Sequence, residues 1–449
     1  DRWQEKWDNL PSIKSNLSDG LLKALDTTSK VERQLETTNT EAYEYYLKGS
    51  YKFNKRENVE DIKIARGLLH KAIELDNNLI VAKVKLGTTY NLTGDYDKAM
   101  EIFTSALKQA EELGDKKGIG ISIGNIGIIY AKKGDYEKAL DYNIRCLNIY
   151  KEFDNQSGIG QCLCNIGNIY LSKDDHEKAL DFFTRSLNKC EKLGNKSSIG
   201  YNLYNIGVIF YRRKSFDKAL GYFNRSIKIR EEVGEKVEVA YSMNSIALIF
   251  ENKCDYVKAS NYYNSSFSIL DAVGDKQGIT FPMMGMGNIC LNQGEYDEAL
   301  DFYNRSLIVR EKTGDKRWIG ESLNSIGNVH YYKGDYEKAL EYLEKSLSIQ
   351  KEIGLGEGSL MLETTTYLYI TYKHLGKAYD VAEIHSLIKE AENIEFELNY
   401  HLYEFLDDIT YIKTAYNQIQ EKANNLEPDV KAKFLSYPIP KAIVEEWEK

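Results

Sequence analysis

Seven times, at intervals of forty residues, the chain repeats one turn-and-helix phrase. It runs Gly94-Asp-Tyr-Asp-Lys-Ala99, Gly134-Asp-Tyr-Glu-Lys-Ala139, Asp174-Asp-His-Glu-Lys-Ala179, Lys214-Ser-Phe-Asp-Lys-Ala219, Cys254-Asp-Tyr-Val-Lys-Ala259, Gly294-Glu-Tyr-Asp-Glu-Ala299 and Gly334-Asp-Tyr-Glu-Lys-Ala339. A fixed period of this length marks one supersecondary unit stacked along an axis, each copy burying its apolar face on the next. Such an array grows by stacking, so 449 residues need not divide into several round domains.

Within one unit, Ile123, Ile126, Gly127 and Tyr130 are spaced by three and four, which predicts an amphipathic helix. Gly134-Asp135 breaks it, and a second helix is expected from Tyr136 through Ala139, Leu140, Leu147 and Ile149. Gly114, Gly194, Gly274 and Gly314 stand where a glycine closes the second helix. No alternating strand pattern occurs, so the fold class is all-α. Gly87, Gly127, Gly167, Gly207, Ala247, Gly287 and Gly327 form one column of small residues in the first helix. A helix-interior glycine costs about 1 kcal/mol against alanine. Accepting that cost in register implies that a neighbouring helix backbone comes close there. Tyr90, Tyr130, Tyr170, Phe210 and Phe250 are then the large knobs that fill the remaining space.

A small residue, an aromatic three on, an alanine nine further and then Phe103, Phe183, Phe223, Tyr263 or Tyr303 resembles the tetratricopeptide-repeat pattern. The forty-residue form is similar to the repeats of kinesin light chains and spindle-orientation adaptors. The resemblance implies a right-handed α-solenoid of about nine helix-turn-helix pairs over residues 41–393. Gly49, Ala65, Leu69 and Ala72 fit a shorter first unit, and Thr364 to Asn393 a worn last one. Residues 1–40, with Trp3, Trp7 and a helix expected from Ile13 to Leu25, read as a linker or cap. Residues 394–449 read as helices that close the open end of the stack. The stretch from Asp1 to about Arg56 is also similar to the junction before such arrays in bacterial class III nucleotide cyclases and TolB-like multidomain proteins. That second resemblance implies a catalytic domain upstream, outside this chain.

The chemistry-bearing residues form no catalytic constellation. His70, His176, His330, His374, His385 and His401 are scattered, with no metal-binding helical spacing. Phosphate-loop and nucleophile-elbow motifs are missing, and glycine pairs such as Gly118 and Gly120 recur with the repeat period as helix punctuation. Cys162 and Cys164 diverge on a helix, and the other cysteines (Cys146, Cys190, Cys254, Cys290) lack framework spacing. Buried, reduced thiols and a cytoplasmic location are expected. No enzyme activity, cofactor or metal is therefore expected. A net charge of −9 without a dense Lys/Arg block disfavours nucleic acid, and no apolar run long enough to span a membrane occurs.

What remains is a surface. The resemblance implies that first helices line a concave wall. With the small residue counted as eighth, the second, fifth, sixth, ninth and thirteenth positions face it, and the candidates lie at the first four. These hold Asn125, Asn165, Asn168, Tyr201, Tyr204, Asn205, Tyr241, Asn244, Phe281, Met284, Asn288, Asn324 and Asn328. Asparagine is a poor helix residue, yet its amide both donates and accepts, which suits the main chain of an extended peptide. Aromatic residues in the middle of the groove supply side-chain pockets. Arg145, Arg185, Arg225 and Arg305, three of them four residues after an aspartate, read as a solvated outer column. The early groove holds Val84, Thr88 and Ile128 although Lys85 is present, so no carboxylate clamp is expected. The expected function is recognition of a protein or peptide segment. The rivals are a regulatory array of a nucleotide cyclase and a self-associating, homodimeric scaffold.

Overall fold

The structure is a computed structural model and describes residues 39–54, 59–354, 359–391 and 393–449. The expected helix from Ile13 to Leu25 lies outside the described residues. Among these, every regular element is an α-helix. The chain forms two compact units, Asp1–Gly118 and Ile119–Lys449.

The first unit contains α1 (Thr40–Asn54), α2 (Val59–Leu75), α3 (Ile80–Leu92) and α4 (Tyr96–Leu113). Ala42, Ala72, Leu79 and Ala82 form one cluster of its core. The Arg66 guanidinium lies 3.8 Å from the Tyr90 ring centroid and donates to the Thr89 carbonyl at 2.9 Å.

The second unit holds the regular pairs. They are α5 (Lys116–Lys132, starting just before the boundary) with α6 (Tyr136–Glu152), α7 (Gln156–Ser172) with α8 (His176–Leu193), and α9 (Lys196–Arg212) with α10 (Phe216–Val233). Then come α11 (Lys236–Asn252) with α12 (Tyr256–Ala272), α13 (Thr280–Gln293) with α14 (Tyr296–Thr313), and α15 (Lys316–Tyr332) with α16 (Tyr336–Glu352). A last pair is α17 (Ser359–His374) and α18 (Val381–Glu390). Four further helices follow: α19 (Phe396–Leu406), α20 (Ile409–Asn424), α21 (Pro428–Ser436) and α22 (Pro438–Trp447). Within the second unit each helix from α6 to α17 packs on the next, which makes an α-solenoid.

The repeated phrase now has a physical account. Its first residue takes the left-handed backbone conformation, with φ of 80° at Gly134 and 76° at Gly334. Glycine adopts this freely. The next residue caps the second helix: Asp135 and Asp175 each accept the backbone N–H three residues on, at 3.1 Å. Such a cap contributes about 1 kcal/mol. Gly194, Gly234 and Gly314 end the second helices, also at positive φ.

The small-residue column has a different cause from the one expected. What crowds it is a side chain of the paired helix, not a backbone. A Cβ on Gly207 would sit 2.7 Å from the Phe223 ring, and one on Gly287 2.5 Å from that of Tyr303. Phe183, Phe223, Tyr263 and Tyr303 are the fully buried knobs. Tyr130, Tyr170, Phe210 and Phe250 are half-buried and stack instead on Tyr142, Phe182, Tyr222 and Tyr262 at 5.3–5.7 Å. A lysine covers the first ring of each stack, and Arg145, Arg185 and Arg225 cover the second ring in three of them. The arginine column therefore rests on aromatic faces as well as beside its aspartates.

Exposed ion pairs link successive helix pairs along the turn edge. Lys173 meets Glu137 at 2.6 Å, Arg213 meets Glu177 at 2.9 Å, Lys253 meets Asp217 at 2.8 Å, and Lys333 pairs with Asp297. One rung is missing, because Val257 and Gln293 stand in the two columns.

Candidate functional site

The first helices α5, α7, α9, α11, α13 and α15 carry the expected groove residues. In α5 and α9 the sixth-position amides turn back onto their own helix. Asn125 Nδ2 donates to the Ile121 carbonyl at 2.8 Å and Asn205 Nδ2 to that of Tyr201 at 3.0 Å. Asn165 is buried and accepts from Gln161 at 3.0 Å. Each such bond satisfies one donor and leaves the rest of the amide's capacity to its surroundings.

The centre of the face is aromatic. Tyr201 is 42% exposed, and its hydroxyl meets the Asn168 amide of the preceding first helix at 3.1 Å. Tyr204 bonds Ser245 of the following one at 3.2 Å. Tyr241 donates to Asp275 at 3.1 Å, and burial with that carboxylate pushes its phenol well above the usual range. Phe281 lies edge-on to Tyr241 at 6.1 Å and to Trp318 at 5.3 Å. Neighbouring helices therefore bring Tyr241, Phe281 and Trp318 into one row. On α11, three residues after Tyr241, Asn244 has its Oδ1 enclosed and without a hydrogen-bond partner among the described residues.

Two buried arginines lie beneath this row, and sequence reading missed both. Arg230 runs its stem past Gly200, donates to the Glu238 carbonyl at 3.0 Å and lies 5.5 Å from the Tyr204 ring centroid. Arg310 donates to the Trp318 carbonyl and Ser322 hydroxyl, both at 2.9 Å, and pairs with Glu321 at 3.2 Å. Their column otherwise holds residues such as Tyr150, Cys190 and Leu270, so nothing in its pattern points to a buried charge.

Towards the last pairs the face is used within the chain. Met284 is buried and accepts weakly from Ser322. Asn288 accepts the Tyr303 hydroxyl at 2.7 Å. Asn324 and Asn328 are 2% and 5% exposed, and both donate to Glu363 Oε1, at 2.8 and 2.9 Å. Their donors are thus engaged by α17 and do not stand ready for a guest. Among the described residues no group of three His, Cys, Asp or Glu side chains is placed to hold a metal ion. Also among them, no helix is long and apolar enough to cross a membrane.

The segment 394–449, expected to close the end of the stack, begins there. Leu402 and Phe405 of α19 join Leu368 and Ile370 of α17 in one apolar cluster. Tyr332 and Tyr367 both donate to Glu397, at 2.6 and 2.8 Å, and the Tyr332 oxygen lies 2.8 Å from His401 Nε2. The chain then runs back along the turn edge. Tyr437 stacks on Tyr256 at 5.1 Å, and Pro438 packs against Gly294. Between the two attachments lies a cavity of about 1530 Å³, walled by the turn edge of α9 to α13 and by α19 to α22.

An array of short helix pairs in register, with one face of each first helix turned outward, defines a repeat scaffold. The tetratricopeptide-repeat profile matches residues 78–152, 118–192, 199–272 and 280–352, more than half of the chain, and the chain belongs to that family. Among solved structures, it is similar to a Rap protein complexed with Competence and Sporulation Factor: 16% identity, TM-score 0.54, covering 76% of this chain and 93% of that one. It is also similar to a signal transduction ATPase with a tetratricopeptide-repeat sensor from Pyrococcus horikoshii: 16% identity, TM-score 0.55, covering 84% of this chain and 55% of that one. The apo form of RapI is 20% identical with a TM-score of 0.47, over 61% of this chain and 98% of that one. At these identities the likeness is one of fold. A search of curated protein sequences gave no significant match.

Proposed function

We propose that the array is a non-enzymatic recognition module and that the concave groove lined by the first helices α7, α9, α11, α13 and α15 binds an extended segment of a partner protein. Arrays of this family generally mediate protein–protein interactions. The observation that carries the finer reading is the row Tyr201, Tyr204, Tyr241, Phe281 and Trp318 on successive first helices, with Tyr201 42% exposed at its edge. Aromatic rings supply large contact area at low entropic cost, and the amides beside them complement peptide main chain. The resemblance to a Rap protein complexed with Competence and Sporulation Factor is one of fold and is not itself the argument.

The test is a peptide-library selection on the immobilised chain, followed by affinity measurement on variants. Tyr201→Ala and Phe281→Ala should weaken the selected ligand at least tenfold, with melting temperatures close to wild type. Selected ligands indifferent to both changes would exclude this face. The regulatory-array reading rests on residues 1 to about 56 alone, and the upstream reading frame decides it.

A further inference from the structure

Two repeats place an arginine at the same spot and furnish it differently. Arg230 and Arg310 stand in the last turns of α10 and α14. Each donates through Nη1 to the carbonyl eight residues on, Glu238 at 3.0 Å and Trp318 at 2.9 Å. Both Nε atoms are enclosed without a hydrogen-bond partner among the described residues. There the likeness ends. Arg310 also reaches Ser322 Oγ at 2.9 Å and Glu321 Oε2 at 3.2 Å. In the registers of those two residues the other copy has Ser242 and Tyr241. Ser242 donates to the Glu238 carbonyl at 2.9 Å and Tyr241 to Asp275 at 3.1 Å, so neither serves the guanidinium. Arg230 thus makes one hydrogen bond among the described residues, and Glu235 stands 4.0 Å from its Nε. A guanidinium carries five N–H donors.

The fully furnished copy shows from which side the acid comes. Glu321 occupies the second position of α15, which is a groove position. Its side chain is 39% exposed, whereas that of Arg310 is 3% exposed. A carboxylate on the groove side therefore reaches the buried fork. Glu363 repeats the pattern on the next first helix, where the groove amides of Asn324 and Asn328 donate to it at 2.8 and 2.9 Å. At this end of the array the acids belong to the chain itself. In the middle they do not. At the second, fifth, sixth, ninth and thirteenth positions of α7, α9, α11 and α13, Arg212 is the one charged side chain, and it pairs with Asp174 at 3.2 Å. No acid at those positions repels an incoming carboxylate.

We propose that the segment bound in the groove carries an aspartate or glutamate whose carboxylate pairs with Arg230, as Glu321 pairs with Arg310. This ligand chemistry rests on the groove reading and adds to it one acidic side chain set among aromatic and amide contacts. The planar fork of arginine matches a carboxylate with two parallel N–H···O bonds, and such a pair is about twice as strong as a neutral one. Tyr241 stands in the register of Glu321, so its ring turns aside as the acid enters.

A random peptide library selected on the full chain tests the pairing. Selected peptides should be enriched in Asp or Glu at one position, and exchanging that residue for its amide should weaken binding about tenfold or more. Arg230→Gln should bring the acidic and amide versions to equal affinity, whereas Tyr201→Ala should weaken both alike. Ligands without an acidic preference, or with one that survives Arg230→Gln, would overturn the proposal and leave the groove reading standing. Ligands indifferent to Tyr201→Ala and Phe281→Ala would instead remove the groove reading. A measurement without any ligand reads the Arg230 spot by itself. Tyr241→Glu should melt about 2 °C above Tyr241→Gln at neutral pH, and the difference should vanish in the Arg230→Gln background. Tyr241→Glu melting at or below Tyr241→Gln would mean that no carboxylate is accepted beside Arg230, and the proposal would fall.

Discussion

Glu363 Oε1 accepts the Nδ2 hydrogen of Asn324 at 2.8 Å, although the two residues lie 39 positions apart on adjacent first helices. The same oxygen takes the amide of Asn328. The carboxylate is thereby drawn onto the repeat face with only neutral donors at hand. Burial lifts its carboxyl from the usual 4.5 to about 7, against the opposing pull of the Asn324 hydrogen bond. Burial lifts Glu251 to about 7 as well.

A pH dependence follows from that shift. A carboxyl whose pKa is raised on folding holds its proton in the native state where the unfolded chain has lost it. Its contribution to stability is full below about pH 4.5 and is lost as pH rises through about 7. Glu363→Gln keeps the shape and the acceptor oxygen without the charge. We expect it to stabilise the chain by about 1–2 kcal/mol at pH 8 and to change little at pH 5. Urea unfolding at the two pH values measures the difference, and equal midpoints at pH 8 would place the burial cost elsewhere.

Three repeats lack glycine where their neighbours have it. Asp174, Lys214 and Cys254 take φ of 59°, 54° and 55° at the turn position that Gly94, Gly134, Gly294 and Gly334 occupy. A side chain in that region costs about 1–2 kcal/mol. Lys214 pairs with Glu395 at 3.7 Å, both side chains well exposed, so little is lost with its side chain. Lys214→Gly should raise stability by roughly 0.5–1 kcal/mol, the gain being reduced by the greater freedom of glycine in the unfolded chain. Gly134→Lys should lower it by a similar amount or more, and thermal melting of the two variants checks the sign.

Arg310 and Glu321 depend on each other. The guanidinium is 3% exposed, and burial raises the Glu321 carboxyl while Arg310 lowers it. Arg310→Leu should cost about 1–2 kcal/mol, chiefly because the Trp318 carbonyl and the Ser322 hydroxyl lose their donor, while the Glu321 carboxylate, 39% exposed, is partly compensated by water. Leu270 fills the same register two helices earlier, so the volume is tolerated there. Adding Glu321→Gln should recover part of the loss. No recovery in the double variant would assign the cost to packing instead.

The sequence revealed the helix pairs, their boundaries and their glycine punctuation because each follows from local chemistry repeated seven times. It misattributed the small column. One-dimensional spacing shows that room is needed, and only the packed pair shows that the Phe223 ring takes it. The asparagines pose a similar limit. An amide facing a guest and one bonded to its own i−4 carbonyl, as Asn205 is, leave the same trace in a column. Glu363 lies beyond the regular repeats, so no periodic position could announce it as the partner of Asn324 and Asn328. The return of α20–α22 along the turn edge left one faint sign, the rung lost at Val257 and Gln293.

The glycines offer a paired test of that packing. Gly167 and Gly221 both lie inside helices, so each carries the roughly 1 kcal/mol penalty of glycine against alanine. Their surroundings differ. A Cβ on Gly167 would touch the Phe183 ring at 3.0 Å, whereas one on Gly221 would meet nothing within 4 Å. Gly221→Ala should therefore stabilise by about 0.5–1 kcal/mol through helix propensity alone. Gly167→Leu should destabilise by about 1–3 kcal/mol or more, since a branched side chain has to displace a fully buried ring. Calorimetry on the two variants decides the matter. A tolerated leucine at Gly167 would mean that the α7/α8 pair is not held by Phe183, and the register assigned to every other pair would then be in question.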